Sequence, residues 1–209
     1  IHLLLQVSEP GNILSFAGKS MLPENLFEFF AAEVYSKLDE TVQDFLLKTS
    51  LVVDYDIEFC NELLNISNSS EIIELLAGRN IFIESIRSNE SGTYHQVKFT
   101  YNRLFRDFLR QKAMEMPENI LADIYNKIAF LYLAKNQPGT AFEYFILAKE
   151  YEKAFDQLQI FFNDYFNQSN FEKLWQCISA FKTDFTDNNK LLLYYKGILL
   201  KFYKGEIDQ

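Results

Sequence analysis

The sequence predicts a mainly α chain, a winged-helix domain with one β-hairpin followed by a tetratricopeptide-like helical-repeat array. Three observations carry this. Gly (7) and Pro (4) are scarce among 209 residues, which disfavours a turn-rich β fold. Apolar residues recur at helical spacing along most of the chain, interrupted once by two short β-patterned runs between residues 81 and 99. Beyond Met116-Pro117, small and aromatic residues alternate at the spacing of paired helices.

Taken in order, residues 1–22 read as the tail of a preceding element and a linker, with turn signals at Pro10-Gly11-Asn12 and Gly18-Lys19-Ser20. Pro23 and Glu24 open a helix to about Leu38, with Leu26, Phe27, Phe30, Ala31, Val34 and Leu38 on one face. Thr41–Lys48 repeats the pattern through Val42, Phe45 and Leu46. Asp56 is placed to cap a short helix ending at Leu64, and Ser69 or Ser70 to cap the next, which holds Ile72, Ile73, Leu75 and Leu76. The runs 81–86 and 94–99, separated by the polar Arg87–Thr93 turn, predict the hairpin. A helix follows almost at once, with Leu104, Phe105, Phe108 and Leu109 as its apolar stripe. This assigns residues 23–116 to the winged-helix domain and 117–209 to the repeats.

Within the second part, helices are expected near 118–135, 138–149, 151–167, 170–182 and 188–204, and the short breaks between them imply antiparallel pairs. Tyr125, Ile128, Ala129, Tyr132, Ala141, Phe145 and Ala148 follow tetratricopeptide spacing, and Tyr194, Gly197 and Gly205 follow part of it again. Ala154 and Leu158 begin a less regular unit between them. Tyr144, Tyr165 and Trp175 are the side chains expected on a partner or ligand groove.

Hydrophobic residues make up 48% of the chain, enough for a sizeable core, and 21 Phe and 12 Tyr point to ring-filled helix contacts. A net charge of −9 argues against nucleic acid as the main partner. Cys60 and Cys177 are far apart without paired spacing, which predicts buried free thiols in a reducing, cytoplasmic compartment. His2 and His95 complete no zinc-site spacing with them. No apolar run reaches the length of about 18 residues that a membrane span needs. Glu28, Glu33, Asp39 and Glu40 are carboxylates without a matched base, nucleophile or metal ligand, so no catalytic set is expected. The missing initial Met and the helix-like ending at Gly205–Gln209 read as a piece of a longer polypeptide.

The segment Phe99–Leu109 carries the strongest functional signal. Arg103, Arg106 and Arg110 form a second stripe on its helix, and Asn102 stands at the helix head, where free backbone N–H groups point outward. Asn102, Arg103 and Arg106 are the candidates for nucleotide-phosphate or interdomain contacts.

Four blocks carry a resemblance. They are Phe27–Val34 with Leu38, Phe45–Ser50, Leu75–Phe82 and Tyr101–Leu109, followed by the helical hairpin Ala141–Leu158. In this order over residues 22–160 the chain resembles the region after the ATPase in large ATP-dependent LuxR-type transcription regulators, the maltose-regulon activator class of STAND switches. The resemblance implies that residues 1–22 end an ATPase region holding ADP or ATP. It implies that the winged helix closes over that ATPase, and that the repeats bind an inducer or a regulatory protein. In the family a His commonly stands where this chain has Asn102, and in related switches it contacts the nucleotide's β-phosphate; Asn donates a hydrogen bond there but carries no titratable charge. The chain has no GxxxxGK[ST] loop, so no cofactor is expected within it and it is not expected to hydrolyse ATP alone. The alternative, a DNA-binding winged helix with repeats for dimerisation, meets a difficulty: the reading helix near Ser70–Ala77 carries Glu71 and Glu74 and no Lys or Arg before Arg79.

Overall fold

A computed structural model describes residues 23–78, 83–87 and 97–204. The chain divides into two compact units between Pro117 and Glu118. The first contains α1 (Pro23–Ser36), α2 (Glu40–Thr49), α3 (Ile57–Leu64), α4 (Ser69–Gly78), β1 (Ile83–Arg87), β2 (Val97–Tyr101) and α5 (Arg103–Ala113). This is a winged helix. Its apolar periodicity works as expected in α2, where Val42, Phe45 and Leu46 are buried. In α1 only Ala31, among the positions described within the helix, is buried, with Leu38 just beyond its end.

Local chemistry explains the helix ends. The Asp56 carboxylate accepts from the Phe59 N–H at 2.7 Å, the cap expected from sequence. Ser69 and Ser70, by contrast, already lie inside α4; the Asn61 side-chain oxygen, eight residues upstream, accepts from the Ser69 N–H at 3.2 Å. Gln43 donates from Nε2 to the carbonyls of Tyr35 and Leu38, tying α2 to the end of α1 and the turn after it.

The two strands pair antiparallel with Ile83 opposite Tyr101 and Arg87 opposite Val97, two residues later than the sequence pattern indicates at the second strand's end. The β-pattern of the sequence ends at Phe99, but Tyr101 is needed inside the core and draws the strand on. Its hydroxyl stands 2.7 Å from the Thr49 hydroxyl, and its ring packs against Tyr55 and Phe105. Tyr55 and Phe99 exchange both backbone hydrogen bonds, at 3.0 and 2.7 Å, adding a one-residue third rung that tethers the hairpin to the α2–α3 connection. Residues 88–96, which include most of the expected turn and His95, lie outside the described residues, as do residues 1–22, His2 and Gly205.

The second unit contains α6 (Glu118–Ala134), α7 (Pro138–Leu147), α8 (Tyr151–Asn167), α9 (Phe171–Ser179), α10 (Thr183–Asn188), α11 (Lys190–Leu199) and a π turn (Leu200–Lys204). These are helical repeats: α7 packs between α6 and α8, α9 on α8 and α11. Fully buried Ala129, Ala141 and Ala154 let helices approach, and rings fill the remaining space, as in the Tyr132–Tyr144 and Phe162–Tyr195 stacks. The helix expected over 170–182 ends at Ser179, because Phe181 turns inward onto Phe142 and Phe155, and a separate helix, α10, follows. Asn189 caps α11 by accepting from the Leu192 N–H at 3.0 Å. Tyr194 and Gly197 do not reproduce the repeat contact: Tyr194 is 62% exposed and a Cβ on Gly197 would meet nothing within 4 Å. Tyr195 takes the packing role, with its ring 3.7 Å from that of Phe162.

Candidate functional site

The first candidate site is the head of α5, where a strand ends and a helix begins within one residue. Asn102 has extended backbone, and its Oδ1 accepts from the Leu104 N–H at 3.0 Å. That leaves its Nδ2 hydrogens available for an incoming acceptor. The body of α5 is locked by Phe105, Leu109 and Ala113, each fully buried. Leu104 departs from the expected apolar stripe and is 45% exposed, because the buried face runs 105, 108, 109 and 113.

The three arginines of the stripe have three different surroundings. The Arg103 side chain is 86% exposed and reaches Asp107 only at 3.9 Å. Arg110 is structural: its Nε donates to the Ser50 carbonyl at 2.8 Å, at the end of α2. Arg106, one turn from Asn102, is half-buried, and its Nε is shielded from solvent with no acceptor among the described residues. A buried guanidinium N–H without an acceptor is costly, so this position favours the arrival of an oxygen. Residue spacing indicated the stripe, but not which arginine the fold would consume.

The second candidate lies in the repeats, between α7 and α9. A cavity of about 320 Å³ is lined by Gln137, Gly139, Thr140, Phe161 and Tyr165 together with Glu143, Lys173 and Cys177. Lys173 and Glu143 are joined at 2.7 Å, and that bond raises the lysine's pKa. Burial pushes the Cys177 thiol up to about 11, with Lys173 pulling the other way, so it stays neutral at ordinary pH. Of the expected groove residues, Tyr165 lines this cavity. Tyr144 does not: it is 8% exposed, stacked on Tyr132 inside the core between α6 and α7. Trp175 is half-buried on α9 and lies off the cavity lining. The Glu143–Lys173 pair carried no local sequence signal, since its partners lie thirty residues apart.

Among the described residues no cluster of His, Cys, Asp or Glu is arranged for a metal ion, and no helix is long and apolar enough to cross a membrane. Both cysteines are buried, and neither is in a disulfide.

Architecture defines the class first: a winged-helix domain continued by helical repeats. Residues 31–120 match the family model described as the MalT winged helix domain. The HTH-type transcriptional regulator MalT of Klebsiella pneumoniae (strain 342) is 26% identical over 175 residues, covering 81% of this chain and 18% of that protein. MalT of Cronobacter sakazakii is 25% identical over 156 residues (75% and 17%), and MalT of Yersinia enterocolitica 26% over 161 residues (75% and 17%). Through residues 31–120 the chain is thus similar to the MalT winged helix domain, the regulator class that its sequence blocks resemble. The chain spans less than a fifth of the length of these curated relatives.

Proposed function

We propose that the chain is a non-catalytic regulatory region of a nucleotide-switched transcription regulator, coupling an upstream ATPase to helical repeats that take up an inducer or a regulatory protein. The observation that carries this is the head of α5. A solvent-shielded Arg106 Nε with no acceptor among the described residues stands beside exposed Arg103 and exposed Leu104. Charge and apolar surface side by side on a rigidly held helix make a contact face rather than a reaction pocket. Asn102 Nδ2 and the Arg106 guanidinium suit phosphate oxygens or carboxylates brought by the ATPase. The ATP or ADP itself would be cradled on that neighbour, since the chain has no phosphate-binding loop of its own. Nucleotide state would then bias a two-state contact, and whatever the repeats bind would bias the same contact from the other side.

The DNA-reading alternative is weakened by α4, whose ten residues hold Glu71 and Glu74 and no Lys or Arg. One experiment addresses both readings: Arg106→Glu in the full-length regulator, with transcription measured without inducer and duplex binding of this chain measured at low salt. Altered basal transcription and a flat gel-shift titration are expected. Unchanged basal transcription removes α5 from the switch, and salt-sensitive duplex binding replaces this reading with the alternative.

A further inference from the structure

The α7–α9 cleft has two compartments that share one ion pair. The first is the polar cavity over the head of α7. Gln137 gives that helix no side-chain cap, Pro138 has no N–H, and the Ala141 N–H is already bonded to the Gln137 carbonyl, so the Gly139 and Thr140 N–H groups are the open donors of the first turn. Tyr165 leans over them: a Cβ on Gly139 would stand 3.6 Å from its Oη, a contact any larger side chain would crowd. The second compartment, about 270 Å³, is formed by Phe142, Ile146, Leu147 and Ala180. Glu143, Lys173 and Cys177 line both compartments, and the Glu143–Lys173 pair sits where they join.

This arrangement selects a charge pattern. A simple anion at Lys173 meets the Glu143 carboxylate, and a simple cation at Glu143 meets Lys173. A molecule carrying an ammonium and a carboxylate on one carbon satisfies each member of the pair and leaves neither unpaired. The apolar compartment beside them sets the third group. We propose that this cleft binds the zwitterion of an apolar α-amino acid, with its carboxylate on Lys173 and the open N–H groups of α7, its ammonium on Glu143, and its side chain over Phe142, Ile146 and Leu147. The proposal rests on the reading of the repeats as a sensor and names a ligand class for it. The neutral Cys177 thiol, which lines both compartments, adds no competing charge.

The test is calorimetric titration of the 209-residue chain with l-leucine and l-phenylalanine, set against N-acetyl-l-leucine, which lacks the ammonium, and l-leucinamide, which lacks the carboxylate. Each analogue is expected to bind about tenfold more weakly, the loss of one charged hydrogen bond. Lys173→Met and Glu143→Gln alter side chains that are 47% and 55% exposed, so both variants should fold, with circular dichroism as the check. Glu143→Gln should abolish the preference for l-leucine over N-acetyl-l-leucine, and Lys173→Met the preference over l-leucinamide. No binding of either amino acid, equal binding of the charge-deleted analogues, or unchanged preferences in the folded variants would each overturn the proposal. Such a failure leaves the reading of α5 as a switch contact standing, because the Arg106→Glu transcription measurement does not involve this cleft.

Discussion

Tyr101 shows how a single hydroxyl can tie a hairpin to a helix. Thr49 donates to the Phe45 carbonyl at 2.6 Å, so the short contact between the two hydroxyls is completed by the tyrosine as donor. The ring is fully enclosed, and burial raises the phenol well above its ordinary range, so it stays protonated and able to donate. Tyr101→Phe keeps the packing and removes this donor, while Thr49 retains its own bond. A loss of about 1 kcal/mol is expected in urea unfolding, and an unchanged midpoint would show that the hydroxyl pair contributes nothing net. At this scale the sequence reveals roles that depend on near neighbours. Asp56 as a cap and Asn102 as the residue at a helix head were legible because the N–H groups they accept from lie two or three residues on. Gln43, Asn61, Arg110 and the Glu143–Lys173 pair were not, because their partners lie five to sixty residues away and only the folded chain brings them together.

Helix ends in this chain follow a rule that glycine-based reading misses. Asn65, Asn136, Lys149 and Ser169 all have positive φ, between 55° and 60°, and each follows a helix. At all four, the next residue's N–H reaches back five residues: Ile66 to Asn61, Gln137 to Tyr132, Glu150 to Phe145 and Asn170 to Tyr165. The repeats therefore close three successive helices by one hydrogen-bonding device without placing Gly at any of them. The breaks near 136 and 169 were still legible, from the surrounding Asn, Gln, Pro and Gly. The α9–α10 division was not, because Phe181 reads as a continuing helical position and is turned inward by rings from α7 and α8. Ser169→Gly relieves the left-handed backbone cost and should stabilise the chain by roughly 0.5–1 kcal/mol, less than the full penalty because Gly also loosens the unfolded chain. A raised denaturation midpoint is the expected result; a lowered one would mean that the serine is held by interactions stronger than its strain.

For the whole molecule, composition indicated much of the architecture. Scarce Gly and Pro, abundant Phe and helical periodicity described both a winged helix and the repeats after it, and the division at Pro117 falls where Met116-Pro117 interrupts the pattern. In the proposed reading function is legible only coarsely, because the partner surfaces that would give Arg103, Leu104 and Arg106 their meaning would come from other domains. The central claim is that α5 of the winged helix helps hold the nucleotide state of a neighbouring ATPase. Its most direct test is the rate at which fluorescent ADP leaves the full-length regulator, compared between the native protein and Arg106→Glu. Loss of a charged hydrogen bond at a closed interface predicts release about tenfold faster or more in the variant, whereas identical release rates in two equally folded proteins would contradict the account.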